Sequence, residues 1–218
     1  MAHLQLLKVW TQKSKLFTTK GRTHNIGFYA SCLQLFMKHQ NFQIFLDTLL
    51  TATKNIDQKY FQLPVTYRDY VVRERAYCYE LYHQIRERLP TDFTYTLSGE
   101  VNKAGHPLIA PHCGQIIPDF LIHNPGHMGQ DDNLIIVEVK TIEGANYAQE
   151  GRDLLKDMQT INCMTSLKNG YYKGIILIFG SGNNDKKNEI ENVYRHRCNT
   201  ENVLLLYHDN ANTRARVL

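Results

Sequence analysis

The chain has little cysteine, proline or tryptophan and no apolar run long enough to cross a membrane. Its 218 residues include five cysteines, six prolines and one tryptophan. The cysteines are odd in number, scattered and never arranged as Cys-x-x-Cys, which predicts reduced thiols rather than a disulfide framework. The first ten residues lack the pattern of a signal peptide, so we expect none. These absences predict a cytoplasmic protein that has no membrane partner.

Charge is unevenly distributed along the chain. The formal net charge is +4, but residues 1–90 carry 13 Lys and Arg against 6 Asp and Glu, whereas residues 91–218 carry 12 against 15. A basic segment beside an acidic one suits an enzyme that acts on a polyanion, because cations attract phosphates while carboxylates hold a metal ion. Modestly basic helical segments are also common in proteins that bind no nucleic acid, so both interpretations stay open.

Hydrophobic periodicity predicts helices in the first part of the chain. Apolar residues recur at three- and four-residue steps over about 26–60, which predicts two helices with a break near 39–41. A second helical stretch is predicted over 66–89, where Pro90 stops it. Residues 93–101 alternate like a strand and lead into a loop.

Two later apolar runs predict a β-hairpin with charged ends. The first is Pro-Asp-Phe-Leu-Ile at 118–122 and the second is Leu-Ile-Ile-Val-Glu-Val-Lys at 134–140. Strong turn residues lie between them, so the hairpin is expected to bring Asp119 near Glu138. Side chains alternate along a strand, so Glu138 and Lys140 share one face. Burying either charge unpaired costs several kcal/mol, which implies a partner or a bound metal.

A helix and a second apolar strand follow this hairpin. Residues 148–168 carry an apolar stripe, and residues 174–179 are apolar throughout. A strand, a crossover helix and a continuously apolar strand predict a right-handed βαβ unit in a parallel sheet that is covered on both faces. A helix at 189–197 and a strand at 203–207 complete a layered α/β domain.

Pro118-Asp119 followed by Glu138-Val139-Lys140 resembles the motif of the PD-(D/E)xK nuclease superfamily. The resemblance implies an α/β, restriction-endonuclease-like fold, in which a mixed β-sheet is flanked by helices, over residues 65–218. Residues 1–64 would form a basic helical extension that contacts DNA, a partner protein or a second copy in a homodimer.

The resemblance also implies a metal-dependent chemistry. Asp119 and Glu138 would ligate Mg²⁺, for which Mn²⁺ can substitute, and the Val139 carbonyl is a further candidate ligand. Lys140 would orient the attacking water or help to deprotonate it. Carboxylates are hard oxygen ligands that suit these cations. DNA is the expected substrate, in restriction, repair or defence against foreign DNA, because most proteins of this superfamily act on DNA.

Family members often supply one more acidic residue from the helix before the first strand. Three glutamates lie on that predicted helix: Glu74, Glu80 and Glu87. We select Glu80, because it borders the predicted buried stripe of the helix. Glu100, at the end of the predicted first strand, is the competing position. Lys156 and Gln159 on the crossover helix are candidates for phosphate contacts.

Two other functions stay open. A non-catalytic nucleic-acid-binding or sensor subunit could keep the fold without turnover, although the complete set of Asp119, Glu138 and Lys140 favours an enzyme. Gly180-Ser-Gly182 after an apolar strand resembles the start of a dinucleotide-binding turn. The third glycine position holds Asp185, so a plain turn is expected there.

Overall fold

The chain folds as a mixed α/β protein. A computed structural model describes residues 24–67, 69–103, 107, 109–127, 129, 131–145 and 152–218. The first 23 residues of the predicted basic extension and the predicted start of the crossover helix at 148–151 lie outside these residues. Within the described ranges, no helix is long and apolar enough to span a membrane.

Six helices occur in the described part of the chain. Helix α1 is continuous through residues 39–41, so the predicted break there is wrong. Asn41 and Phe42 are both buried on this helix, so the packed face continues past the polar residues at 39–41. The helices are α1 (His24–Thr53), α2 (Gln58–Phe61), α3 (Glu74–Arg86), α4 (Ala110–Cys113), α5 (Arg152–Ser166) and α6 (Asn184–Arg197).

The chain divides into two compact units, Met1–Met37 and Lys38–Leu218. The second unit contains the whole β-sheet. Buried side chains from residues 42–61 belong to the same apolar cluster as alternate residues of the sheet. The domain boundary at residues 64 and 65 stays a prediction, but the compact unit around the sheet already begins at Lys38.

Six strands form one sheet whose spatial order follows the chain, from β3 to β8. Neighbouring strands are antiparallel except for the pairs β5–β6 and β6–β7, which are parallel. The predicted hairpin and the predicted parallel pair are therefore confirmed. The strands are β1 (Leu63–Pro64), β2 (Tyr70–Val71), β3 (Thr96–Gly99), β4 (Phe120–His123), β5 (Asn133–Thr141), β6 (Lys173–Phe179), β7 (Val203–His208) and β8 (Arg216–Val217).

Helices cover the sheet on both faces. Side chains of α1, α2 and α3 share one apolar cluster with Val137 and Val139 of β5. Side chains of α5 and α6 share the other cluster with Ile136. Helix α5 packs so closely on β6 that a Cβ atom at Gly174 would lie 2.4 Å from Cγ2 of Ile161. The alternation of β5 therefore directs its two sets of side chains into two different layers.

A small hairpin of β1 and β2 stands where the helix was expected to begin, so the prediction of a helix from residue 66 is wrong. Strands β1 and β2 pair antiparallel. The Thr66 hydroxyl donates to Oδ2 of Asp69 at 2.8 Å, and the Asp69 N–H donates to the Thr66 hydroxyl oxygen at 3.1 Å. These side chains stabilise a turn instead of capping a helix, and α3 begins at Glu74.

Two of the five cysteines are joined, so the expectation that all thiols are reduced is wrong. Cys113 in α4 and Cys163 in α5 form a disulfide, with Cα atoms 5.7 Å apart. The two residues are 50 positions apart in sequence, and they meet only because α4 packs on α5, which cysteine spacing does not reveal. The cytoplasmic location stays a prediction.

Candidate active site

The ends of β4 and β5 bring Asp119 and Glu138 together. Phe120 pairs with Val137 in the antiparallel ladder, so the register continued by one residue places Asp119 opposite Glu138. Opposite residues on antiparallel strands have Cβ atoms about 5 Å apart on the same face. Asp119 is held in place by the Val139 N–H, which donates to Oδ2 of Asp119 at 2.7 Å. The two carboxyl groups are therefore close neighbours, as the sequence predicted.

Both carboxyl groups lie where ionisation is unfavourable. Glu138 is only 8% exposed. Burial raises the pKa of Asp119 to about 6, although the hydrogen bond from Val139 opposes the shift. Burial, followed by the charges of Asp119 and Asp157, raises the pKa of Glu138 well above its ordinary value. Two like charges in a buried place favour either a bound proton or a nearby cation.

The ammonium group of Lys140, a residue of β5, lies between the carboxylates of two helices. Its Nζ atom lies 3.2 Å from Oδ2 of Asp157 and 3.5 Å from Oε1 of Glu74, and its side chain is 16% exposed. Burial tends to lower the pKa of Lys140, but Asp157 and Glu74 outweigh this effect and raise the pKa above its ordinary value. Lys140 is therefore an ammonium ion at neutral pH.

Two acidic residues that contact Lys140 were not selected as site residues from the sequence. Glu74 begins α3, and Asp157 lies on α5. After the effect of burial, both charges contribute to the raised pKa of Asp119. The structure places Glu74, another glutamate of the same helix, in contact with Lys140. Glu80 was selected because it borders the buried stripe of the helix, and a role for Glu80 as a metal ligand stays a prediction.

Glu80, the acidic residue selected from the sequence, is not brought to this site. Its Oε1 accepts a hydrogen bond from Nε2 of Gln84 at 2.6 Å. Six residues separate Glu80 from Glu74, so the two lie about 120° apart around the helix axis. Cys78, by contrast, lies about 40° from Glu74. Burial, followed by the charges of Asp119 and Glu74, raises the pKa of the Cys78 thiol, so this face of α3 borders the acidic pair.

Glu100 lies beside Asp119 in the sheet, but its carboxylate is paired elsewhere. The Glu100 N–H donates to the Asp119 carbonyl oxygen at 3.1 Å. Oε1 of Glu100 lies 3.1 Å from Nε of Arg75, and 49% of the Glu100 side chain is exposed. Its φ of 47° is in the left-handed region, which costs a residue with a side chain about 1–3 kcal/mol. Glu100 is therefore at the rim of the site, paired with Arg75.

Lys156 and Gln159, the predicted phosphate contacts, are exposed on α5. The α5 side chain that contacts Lys140 is Asp157. Consecutive helical residues point about 100° apart, so the three side chains have different directions. A phosphate contact by Lys156 or Gln159 stays a prediction.

The donors at the ends of β4 and β5 fit a hard divalent cation. In the described ranges, no group of three or more His, Cys, Asp and Glu side chains is arranged to hold a metal ion. Mg²⁺ at phosphate-transfer sites takes only one or two protein carboxylates and keeps several waters, which Asp119 and Glu138 can supply. A strand residue directs its N–H and C=O to the same side, so the Val139 carbonyl is on the side of Asp119. A cation there would relieve the repulsion that the raised pKa values indicate.

The turn at 180–182 is explained by packing. A Cβ atom at Gly182 would lie 2.2 Å from Cδ1 of Ile142, and Gly180 has a φ of 109°. Asn183 then caps α6, because its side-chain oxygen accepts from the Lys186 N–H at 2.9 Å. These contacts favour the plain turn over a dinucleotide-binding turn.

No protein-family model, curated protein or solved structure matches this chain. The functional assignment therefore depends on the residues and their geometry.

Proposed function

We propose that the protein is a metal-dependent nuclease that hydrolyses phosphodiester bonds, of DNA rather than RNA, on a restriction-endonuclease-like version of its α/β fold. The observation that supports it most is the position of Asp119, which directly precedes β4 and lies opposite Glu138 of β5, with Lys140 two residues further along β5. The sheet order supports it too, because an antiparallel β3–β4–β5 part continues into a parallel β5–β6–β7 part. The choice of DNA rests on the motif's resemblance alone, as does a role in restriction, repair or defence.

In this proposal Asp119, Glu138 and the Val139 carbonyl would hold Mg²⁺, with Mn²⁺ as a substitute. The ion would supply Lewis-acid stabilisation of the charge that develops on the phosphate. The hydrogen bond from Val139 fixes the direction of the Asp119 carboxylate. Folding has therefore already oriented one of the oxygen donors before any ion binds.

Lys140 acts as a fixed positive charge in this proposal. Because its pKa is raised, it is a poor acceptor for the proton of the attacking water. An ammonium ion can instead orient that water and stabilise negative charge in the transition state. Glu74 and Asp157 are positioning residues, because they act on the reaction by holding Lys140 in place and in its charged form.

Purified protein incubated with plasmid DNA, single-stranded DNA and RNA, in Mg²⁺, Mn²⁺ or EDTA, tests the proposal. We expect DNA cleavage only with metal, and we expect Asp119→Asn and Lys140→Ala to slow it by about a hundredfold or more. Cleavage in EDTA, or variants that cut at the wild-type rate, would contradict the site. DNA binding without cleavage would favour the non-catalytic alternative.

Glu74→Gln and Glu80→Gln form a matched pair, because they make the same change on the same helix. We expect Glu74→Gln to slow cleavage by about tenfold, because Lys140 loses one of the two carboxylates that hold its ammonium group in place. Glu80→Gln should leave the rate of cleavage unchanged. Equal effects of the two variants would show that Glu74 has no special role.

A further inference from the structure

A cleft opens beside Asp119, between α3 and the ends of β3 and β4. Its volume is about 270 Å³, and its lining includes Tyr79, Tyr82, Gly99, Glu100, Asp119 and Phe120. Sites that enclose a drug-sized ligand have volumes of about 300–1,000 Å³. This cleft is therefore suited to one small planar group rather than to a larger ligand.

Three aromatic residues dominate the lining. Tyr79 is 62% exposed on α3. Tyr82 is anchored by its hydroxyl, which donates to the Leu97 carbonyl oxygen at 3.3 Å, and its ring centroid lies 6.2 Å from that of Phe120. The cleft thus combines one accessible tyrosine with two aromatic rings that contacts within the protein hold in place.

Gly99 keeps the space between these rings open. A Cβ atom at this position would lie 3.6 Å from the Asp119 carbonyl oxygen, 3.8 Å from Cδ2 of Tyr82 and 3.9 Å from Cδ1 of Phe120. These are ordinary contact distances, so a small side chain would fit without displacing its neighbours. A larger side chain at position 99 would occupy the cleft itself.

We propose that this cleft holds one unpaired base of the substrate, stacked on the accessible tyrosine, next to the phosphate that is cleaved at Asp119. This inference rests on the proposed nuclease function, because an aromatic-lined space beside Asp119, a residue that would hold the metal ion, fits a planar group joined to a phosphate. Bases stack on aromatic side chains in both single-strand binding and base flipping. A base inside a continuous duplex is paired and stacked already, so single strands, frayed ends and mismatched sites are the preferred substrates.

Binding of fluorescein-labelled oligonucleotides in EDTA, measured by fluorescence anisotropy, tests the cleft without turnover. We expect Tyr79→Ala to weaken single-strand binding by about tenfold, the effect of losing one base–aromatic stack, and to leave duplex binding unchanged. Tyr79→Phe, which keeps the aromatic ring, should bind single strands as the wild type does. Tyr67→Ala is the matched control, because Tyr67 is fully exposed in the β1–β2 turn, outside the cleft lining.

Gly99→Leu tests the same cleft from its opposite wall. It should weaken single-strand binding as Tyr79→Ala does, while circular dichroism and the thermal midpoint show that the protein is folded. Unchanged single-strand binding in Tyr79→Ala, an equal loss for single strands and duplex, or no binding of any oligonucleotide by the wild type would overturn the inference.

The cleft and the nuclease function can fail separately. If the wild type cleaves DNA with metal while Tyr79→Ala binds single strands normally, the cleft inference is wrong and the nuclease function stands. If Tyr79→Ala loses single-strand binding while the wild type cleaves nothing in any metal, the nuclease function is wrong and the base-binding cleft stands.

Discussion

Asp119 and Glu138 differ from surface carboxylates because folding places them side by side in a buried region. The pKa of Asp119 is raised to about 6 and that of Glu138 is raised further above its ordinary value, first by burial in both cases. Each unit of such a shift corresponds to about 1.4 kcal/mol between the two protonation states. Sites that bind a cation often contain buried carboxylates whose ionisation lowers the free energy of unfolding when the cation is absent.

The sign of the shift predicts how stability depends on pH. Both pKa values are higher in the folded protein than in the unfolded chain, so the metal-free protein is most stable when the carboxyl groups are protonated. Its free energy of unfolding should fall as pH rises through about 6. Glu138→Gln removes one of the two charges and should raise that free energy by about 1–3 kcal/mol at pH 8, with a smaller gain at pH 5.

Urea unfolding in EDTA at pH 5 and pH 8 measures this difference. Glu143→Gln is the control, because Glu143 is exposed in the turn that follows β5. It should leave the pH dependence as it is in the wild type. A Glu138→Gln protein that is less stable than the wild type at pH 8 would mean that the ionised Glu138 has a stabilising partner.

At the scale of elements, the disulfide joins two segments that lead to the site. Cys113 ends α4, five residues before Pro118-Asp119, and Cys163 lies on α5, which also carries Asp157. Replacing both cysteines by serine should lower the free energy of unfolding by about 4 kcal/mol, the chain-entropy value for a loop of this length. Urea unfolding with and without dithiothreitol measures the effect.

Three comparisons separate the disulfide from a general effect of the thiols. Dithiothreitol should destabilise the wild type but not the double serine variant. Cys32→Ser should change nothing, because Cys32 is an exposed free thiol. Five reactive thiols in the protein unfolded by urea without reductant would contradict the disulfide, which leaves three.

Strands that are apolar throughout were predicted well, because a strand buried on both faces leaves a strong signal in the sequence. Strands β5 and β6 lie close to their predicted bounds for this reason. The hairpin of β1 and β2 was missed, because Thr66 and Asp69 are also typical of a helix start. Whether they cap a helix or close a turn depends on the pairing of the flanking strands, which local sequence does not specify.

The candidate site was predicted in part for a similar reason. Asp119, Glu138 and Lys140 follow from a motif on strands, where alternation fixes the face. Glu80 was selected because it borders the buried stripe of α3, and that stripe does not show that Glu74, about 120° away around the helix axis, contacts Lys140. Asp157 lies on a different element, and only the packing of α5 against the sheet shows that it contacts Lys140.

At the scale of the whole molecule, β5 is an interior strand with an antiparallel neighbour on one side and a parallel neighbour on the other. Its residues from Leu134 to Val137 are fully buried, so helices on both faces fix the strand that carries Glu138 and Lys140. Sites on such rigid elements hold their geometry better than sites on loops. The fold thus supports the central claim, that Asp119 and Glu138 hold a divalent cation for phosphodiester cleavage.

The single-turnover rate of DNA cleavage in saturating Mg²⁺ tests that claim most directly, with Glu138→Gln and Glu143→Gln measured beside the wild type. Loss of a metal-binding carboxylate removes several kcal/mol of transition-state stabilisation, so Glu138→Gln should be slower by about a hundredfold or more. Glu143→Gln, a few residues further along, should cleave at about the wild-type rate. A folded Glu138→Gln protein that cleaves DNA as fast as the wild type would show that the acidic pair is not the catalytic centre.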